Sequence, residues 1–318
     1  MTLNRILQVE PEYRNYIWGG SRLRPDIVPT AEAWVVFEND RVTSGPLAGN
    51  TLGELAAAYG SALLGDHVVQ RTGRRFPLLI KLLDCARWLS LQVHPNDEQA
   101  VALEGPGQFG KTEAWHVLQA DEQARLIGGL KPGTSPQDLS TAIQQGTILE
   151  WAQYLDAHPG DTIFMPPGTI HALGPGLLIY EIQETSDLTY RVWDWGRPQT
   201  GGRELHIQKS LAVADPASQP SLHPLPAIRD GQSAVLTHCP YFTLERLEAC
   251  ASSFELDTQG ESFHALTVIA GRAEIQAGEE MLHLEQNQTA LVPATTRKYS
   301  LAPIGHFSLL KASVESGY

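Results

Sequence analysis

The stretch GDTIFMPPGTIH (160–171) decides the fold. Its spacing is G-x5-P-x-G-x2-H. Gly160 lets a strand leave a turn, and Pro166-x-Gly168 forces a second tight turn, because proline presets a negative φ and glycine tolerates a positive one. His171 then projects from the following strand toward a barrel interior. Outward from this point the chain alternates short strands with turns. Residues 162–165, 177–183 and 189–195 read as strands. Upstream, FPLLIKLLD (76–84) is a buried apolar run. WLSLQVH (88–94) alternates, placing Trp88, Ser90, Gln92 and His94 on one face and Leu89, Leu91 and Val93 on the other. KTEAWHVL (111–118) puts Lys111, Glu113 and Trp115 together on one face. Residues 31–45 read as a strand and a turn, and 51–64 has helical spacing. Residues 136–157 have the best helical pattern, starting at Ser135-Pro136 and broken at Gly146. PASQPSLHPLP (216–226) is a linker candidate, and 233–318 holds only short strands.

The 160–171 pattern resembles the second sequence signature of the cupin β-barrel. NQTALVPATTRK (287–298) echoes it with the same proline spacing, but Thr295 replaces the glycine and Lys298 stands at the histidine position. The echo implies a second barrel that has lost its ligand. The expected fold is therefore mainly β: two cupin-like (jelly-roll) barrels with a short helical insertion at about 134–157. The expected domains are a catalytic one over 1–220 and a metal-free one over 221–318.

The composition excludes several functions. The chain has 318 residues, with 23 Lys plus Arg against 36 Asp plus Glu, for a net charge of −13. That balance, without a basic block, argues against nucleic acid or an anionic membrane as partner. Hydrophobic residues at 42% and charged residues at 19% allow a real core and argue against disorder. No apolar run is long enough to span a bilayer. Residues 1–16 carry charges throughout, so no signal peptide is expected. Cys85, Cys239 and Cys250 are scattered without CxxC spacing, which suits a reducing compartment. The expectation is a cytoplasmic protein, with monomer and homodimer both open.

Four residues stand out as metal ligands. Gln92 and His94, two apart, leave one strand face; Glu113 lies on a second strand; His171 follows the Pro-Gly turn. Two imidazoles, a carboxylate and an amide oxygen without thiolates suit Zn²⁺ with an open position better than a closed structural site.

LSLQVHPND (89–97), GKTEAWHVL (110–118), PPGTIHALGPG (166–176) and YEIQETSDLTYRVWDWGR (180–197) resemble hallmark segments of type I mannose-6-phosphate isomerases. NYIWGG (15–20) and AEAWVV (31–36) resemble their N-terminal segments, and the length resembles the short bacterial branch. The resemblance covers about residues 8–215 in the family's order. It implies one zinc held by Gln92, His94, Glu113 and His171. It implies Arg191 as the active-site arginine and Lys111 as the lysine two positions before the metal glutamate. Glu181 and Asp187 match acidic positions of the active-site segment, and Lys81 and Ser90 match positions at the phosphate end. Trp18 is a weaker candidate for the pocket wall. Departures are confined to the thin C-terminal region and to Ala33 and Val35.

The implied reaction is aldose–ketose isomerisation of mannose 6-phosphate and fructose 6-phosphate through a cis-enediol(ate). It needs an oxyanion stabiliser, for which Arg191 is suited, and a base. Lys111 and Glu181 are both candidates for that base. The other readings are a non-catalytic sugar-phosphate-binding cupin and a cupin oxygenase with a two-histidine, one-carboxylate iron site. The retained Arg191 and Lys111 count against the first, and Gln92 and the positive pocket against the second. A sugar phosphate is itself an anion, so the acidic molecule must carry a local positive pocket.

Overall fold

The computed structural model describes Leu3 and residues 5–314. The chain divides into two compact units. One consists of Tyr13–Ala33 and Lys81–Pro224; the other of Met1–Glu12, Trp34–Ile80 and Leu225–Tyr318. The expected division at 220/221 lies close to the last of these cuts. It differs in that residues 1–12 and 34–80 belong with the C-terminal residues.

The Tyr13–Ala33/Lys81–Pro224 unit carries the candidate residues on two antiparallel sheets. In the first, Ser221–His223, Thr162–Met165, Glu113–Ala120, Leu177–Glu184 and Leu78–Cys85 follow one another. Every residue of Leu177–Glu184 and of Leu78–Cys85 is buried; in the second strand this follows the apolar run 76–84, which only Lys81 interrupts before Asp84. In the second, the order is Tyr190–Trp193, Leu91–Val93, His171–Leu173, Arg125–Leu130 and Ala152–Asp156. Trp18, Leu83, Trp115, Ile163 and Ile179 share one core cluster. Leu91, Val93, Ile127, Ala172 and Val192 share another. Each buried leucine, isoleucine and valine among them contributes roughly 1.5–3 kcal/mol through burial.

The helix Pro136–Gln145 begins on a capping box in which Ser135 Oγ accepts from the Asp138 N–H and Asp138 accepts from the Ser135 N–H. It ends at Gly146 in the left-handed conformation (φ 71°). Leu139, Ala142 and Ile143, at helical spacing, pack into the second core cluster. A short helix, Ile148–Trp151, follows the break expected at Gly146. The helical insertion expected over about 134–157 is shorter than that. Ala152–Asp156 is a strand that pairs with Arg125–Leu130, because alternating burial there matches a sheet edge rather than a helix face. The 216–226 stretch is also not all linker, since Ser221–His223 pairs with Thr162–Met165.

The other unit is built on a nine-stranded sheet dominated by two long paired strands, His264–Ala277 and Lys298–Ser313. Register shifts bend them at Val268/Ala270 and Gly271/Ala273. Gly271 sits at φ 71°, and a Cβ there would stand 2.1 Å from His306 O, so only glycine allows this close pairing. In the 287–298 echo, Thr289–Val292 is a strand and Pro293 opens a turn, as in 160–171. Lys298, at the histidine's position, is exposed. The chain is thus mainly β, as its sequence leads one to expect, and among the described residues its strands form three sheets.

Candidate metal centre and active site

His94, Glu113 and His171 come together at one place. Their ligand atoms all lie within 4.8 Å of one another and all three side chains are buried. His171 Nε2 is 3.3 Å from Glu113 Oε1, and His94 Nε2 is 3.6 Å from Glu113 Oε2. The two Nε2 atoms are 3.1 Å apart. Sheet register explains the convergence. His171 lies opposite Gln92 in one sheet, and Glu113 begins the strand that pairs with Thr162–Met165 in the other. The Pro-Gly turn carries the chain from the second of these sheets to the first. Gly168 N–H donates to His94 O in this turn, which ties it to the other histidine.

The protonation pattern fits a metal. Each histidine places Nδ1 2.8 Å from a backbone carbonyl, His94 at Leu188 O and His171 at Thr169 O. A carbonyl only accepts, so Nδ1 carries the proton and Nε2 presents its lone pair inward. Burial pushes the His94 imidazole well below its ordinary range and His171 down to about 4. Burial pushes the Glu113 carboxyl up, and nearby Lys111 only partly offsets this. Two lone pairs and a buried carboxylate, with no hydrogen-bond donor on Glu113 Oε1, face a common point. A divalent cation resolves this arrangement, and the nitrogen–oxygen donor set suits zinc.

A cavity of about 510 Å³ adjoins the cluster. Trp18, Lys81, Ser90, Gln92, Lys111, Glu181, Asp187 and Arg191 all line it. These are the eight candidates outside the His94–Glu113–His171 cluster. Lys111 Nζ reaches Glu113 Oε2 at 3.1 Å, linking the cavity wall to the cluster. Lys81 Nζ is 3.4 Å from Glu181 Oε1 and 3.9 Å from Glu32 Oε2. Burial alone would discharge Lys81, but Glu32, Glu181 and Asp187 outweigh it and hold the amine above the ordinary lysine range. Burial likewise works against an ionised Glu181. Lys81, Lys111 and the indole N–H of Trp115, which donates to Glu181 Oε2 at 2.9 Å, overcome it and lower the pKa. Trp18 is buried and lines the cavity, and Tyr16 stands 5.9 Å from it, centroid to centroid.

Arg191 is half-buried and takes no carboxylate partner among the described residues. Its Nη1 donates to Gly202 O and Glu204 O. Glu32, Tyr16, Arg203 and His206 also line the cavity, and the motif reading did not single them out. Glu32 carried a signal, a lone carboxylate in the apolar run AEAWVV. Arg203 and His206 lie in a turn-rich segment with no periodicity to mark them.

A buried two-imidazole, one-carboxylate cluster on antiparallel sheets, beside a cavity rich in cations, defines a metal-dependent cupin enzyme. Residues 6–108 match the model of the phosphomannose isomerase type I catalytic domain. The chain is 34% identical over 305 residues to mannose-6-phosphate isomerase ManA of Bacillus subtilis, covering 92% of this chain and 94% of that protein. It is also 34% identical over 309 residues to the mannose-6-phosphate isomerase of Streptococcus mutans, with the same coverage. The crystal structure of the Bacillus subtilis mannose 6-phosphate isomerase superposes with a TM-score of 0.85, at 29% identity over 97% of this chain and 99% of that one. A zinc-bound mannose 6-phosphate isomerase shares the fold, with a TM-score of 0.75 at 16% identity over 96% of this chain and 98% of that one. The chain belongs to the type I phosphomannose isomerase family and has its cupin fold.

Proposed function

We infer that this chain is a zinc-dependent aldose–ketose isomerase that interconverts mannose 6-phosphate and fructose 6-phosphate through a cis-enediol(ate). The observation that carries this reading is the His94–Glu113–His171 cluster beside a cavity lined by Lys81, Lys111 and Arg191. The full-length relatives named mannose-6-phosphate isomerase support it. Gln92, His94, Glu113 and His171 hold the zinc, which when bound polarises a sugar oxygen as a Lewis acid. Arg191 offers its charge to the substrate's anionic oxygens from a setting that does not neutralise it. Lys81 and Ser90 receive the phosphate end, and Asp187 and Trp18 bound the sugar. The proton that moves between C1 and C2 is carried by Lys111 or Glu181, both on the cavity wall.

The chemistry belongs to the unit that contains Lys81–Pro224, and the C-terminal β unit works without a metal. The free thiols of Cys85, Cys239 and Cys250 suit a cytoplasmic enzyme. Among the described residues no helix is long and apolar enough to cross a membrane. The acidic charge leaves a small-molecule sugar phosphate as partner rather than nucleic acid.

The test is turnover of both sugar phosphates by zinc-loaded protein, with a chelator-treated control. Interconversion lost on chelation and restored by zinc is expected. Absence of turnover would overturn the reading, and bound iron with oxygen uptake would replace it with the oxygenase. Deuterium exchange from solvent into the sugar then assigns the base: of Lys111→Ala and Glu181→Gln, the variant that loses exchange lacks it.

A further inference from the structure

The tract YRVWDWGR (190–197) contributes more than Arg191. Asp194, three residues on, is 3% exposed, and its carboxylate is fully engaged by two other arginines. Arg203 grips it as a fork, Nε to Oδ2 at 2.7 Å and Nη2 to Oδ1 at 2.6 Å. Arg197 Nη1 adds a third bond to Oδ1 at 3.1 Å. Arg197 Nη2 also donates to Trp88 O at 2.8 Å, and Trp195 Nε1 to Leu89 O at 2.6 Å, which pins the tract beside Ser90. Arg191 is treated differently. Its Nη1 donates to two carbonyls, Gly202 O at 3.1 Å and Glu204 O at 3.0 Å, and these flank Arg203 on either side. Its Nε is buried without a hydrogen-bond partner among the described residues.

A carbonyl orients a guanidinium without cancelling its charge, whereas a carboxylate does both. Two carboxylates act on Arg191, Asp194 and Glu204; Asp194 acts the more strongly and is the buried one, while the charge of Arg203 opposes both. We propose that Arg203 is a positioning residue that sequesters the Asp194 carboxylate, leaving Arg191 an uncancelled charge for the anionic substrate, while its own neighbours supply the carbonyls that aim Arg191. This rests on the placement of Arg191 against substrate in the function proposed above. The planar fork is the side chain suited to the task, because it saturates both carboxylate oxygens at once. Two arginines on one aspartate leave the local sum positive, as an anion-binding pocket in an acidic protein requires.

Arg203 also lines the cavity, so direct contact with substrate is the competing role. A charge-rescue experiment separates the two. KM and kcat for mannose 6-phosphate are measured on zinc-loaded Arg203→Gln, Asp194→Asn, the double variant and Arg191→Ala, with zinc content and melting temperature for each. With Arg203→Gln, Asp194 keeps only its Arg197 bond to Oδ1, Oδ2 is left to turn toward Arg191, and KM is expected to rise roughly tenfold, the size of one charge-assisted hydrogen bond. The double variant is expected to recover most of that loss, because no carboxylate remains to compete. Should Arg203→Gln melt early, Arg203→Lys keeps the charge but not the two-bond fork, and is expected to raise KM less than Arg203→Gln does, with the loss again recovered when Asp194→Asn is added. A double variant as impaired as Arg203→Gln alone would overturn the proposal in favour of direct contact or a purely structural tie. Wild-type kinetics in Arg191→Ala would instead overturn the placement of Arg191 against substrate, and the sequestration with it, while the isomerase activity itself would stand. Impaired Arg191→Ala without rescue in the double variant would sink only the sequestration.

Discussion

His94 and His171 point their Nε2 lone pairs at each other across 3.1 Å because each gives its Nδ1 proton to a carbonyl behind it. Without a cation this arrangement depends on pH in a definite direction. Folded, both imidazoles are held below their ordinary value, His171 at about 4, while the Glu113 carboxyl is raised by burial. As pH falls below roughly 6.5, the unfolded chain takes up two protons on these imidazoles, whereas the folded cluster takes up one, on Glu113. The unfolded state binds more protons, so the stability of the metal-stripped protein is present above that pH and is lost as pH falls toward 4. The cluster's contribution is that of about one proton, on the order of 1 kcal/mol per pH unit. Denaturant titrations of metal-free protein at pH 7, 6 and 5 check it, and a midpoint that does not move would contradict the neutral tautomers. Glu113→Gln removes the carboxylate of the proposed metal site, and zinc affinity is expected to fall by about 100-fold, read by competition with a chromogenic chelator. Gln92 and His94 carried a signal because their two-residue spacing puts both on one side of extended chain, although the strand itself ends at Val93, and His171 because its turn announces it. Arg203 was not. Its partners Asp194 and Arg191 are matched by geometry across a glycine-rich loop, which leaves no spacing to read.

The Pro-Gly turn is the element on which the centre depends. Gly168 lies at φ +84°, its N–H donates to His94 O, and its own carbonyl accepts from the Asp215 N–H. An added Cβ would come within 3.1 Å of Val213 O. Gly168→Ala is expected to cost about 1–2 kcal/mol from the left-handed backbone alone, and to loosen zinc because the turn carries His171. Thermal unfolding and metal competition read the two effects separately; an alanine variant with unchanged melting temperature would show that the turn relaxes freely. The insertion helix gives a milder case. Ser135→Ala deletes one side of a capping box and should lower stability by about 1 kcal/mol without changing turnover. These elements were readable because proline, glycine and capping residues act locally. Residues 152–156 were misassigned for the converse reason. They have no strand signal of their own strength, and they take extended form because Arg125–Leu130 offers an open edge to pair with.

At the scale of the whole molecule, the −13 net charge and the proposed substrate have the same sign. The cavity answers with Lys81, Lys111, Arg191 and Arg203 against Glu32, Glu181 and Asp187, a lining that is cationic even before a metal's charge is added. The two fields have different reach. The global repulsion acts through solvent and is screened over a Debye length of about 10 Å at 0.1 M salt, while charges within a desolvated cavity are screened much less. Raising ionic strength from about 10 to 150 mM should therefore remove more repulsion than attraction. The expected outcome is a kcat/KM for mannose 6-phosphate that stays level or rises modestly over that range. Enzymes that steer an anion with a positive surface behave in the opposite way, losing rate steeply as salt is added. A steep fall measured here would mean that the positive field extends beyond the cavity mouth, and that the acidic residues are arranged to leave an open approach rather than spread around it.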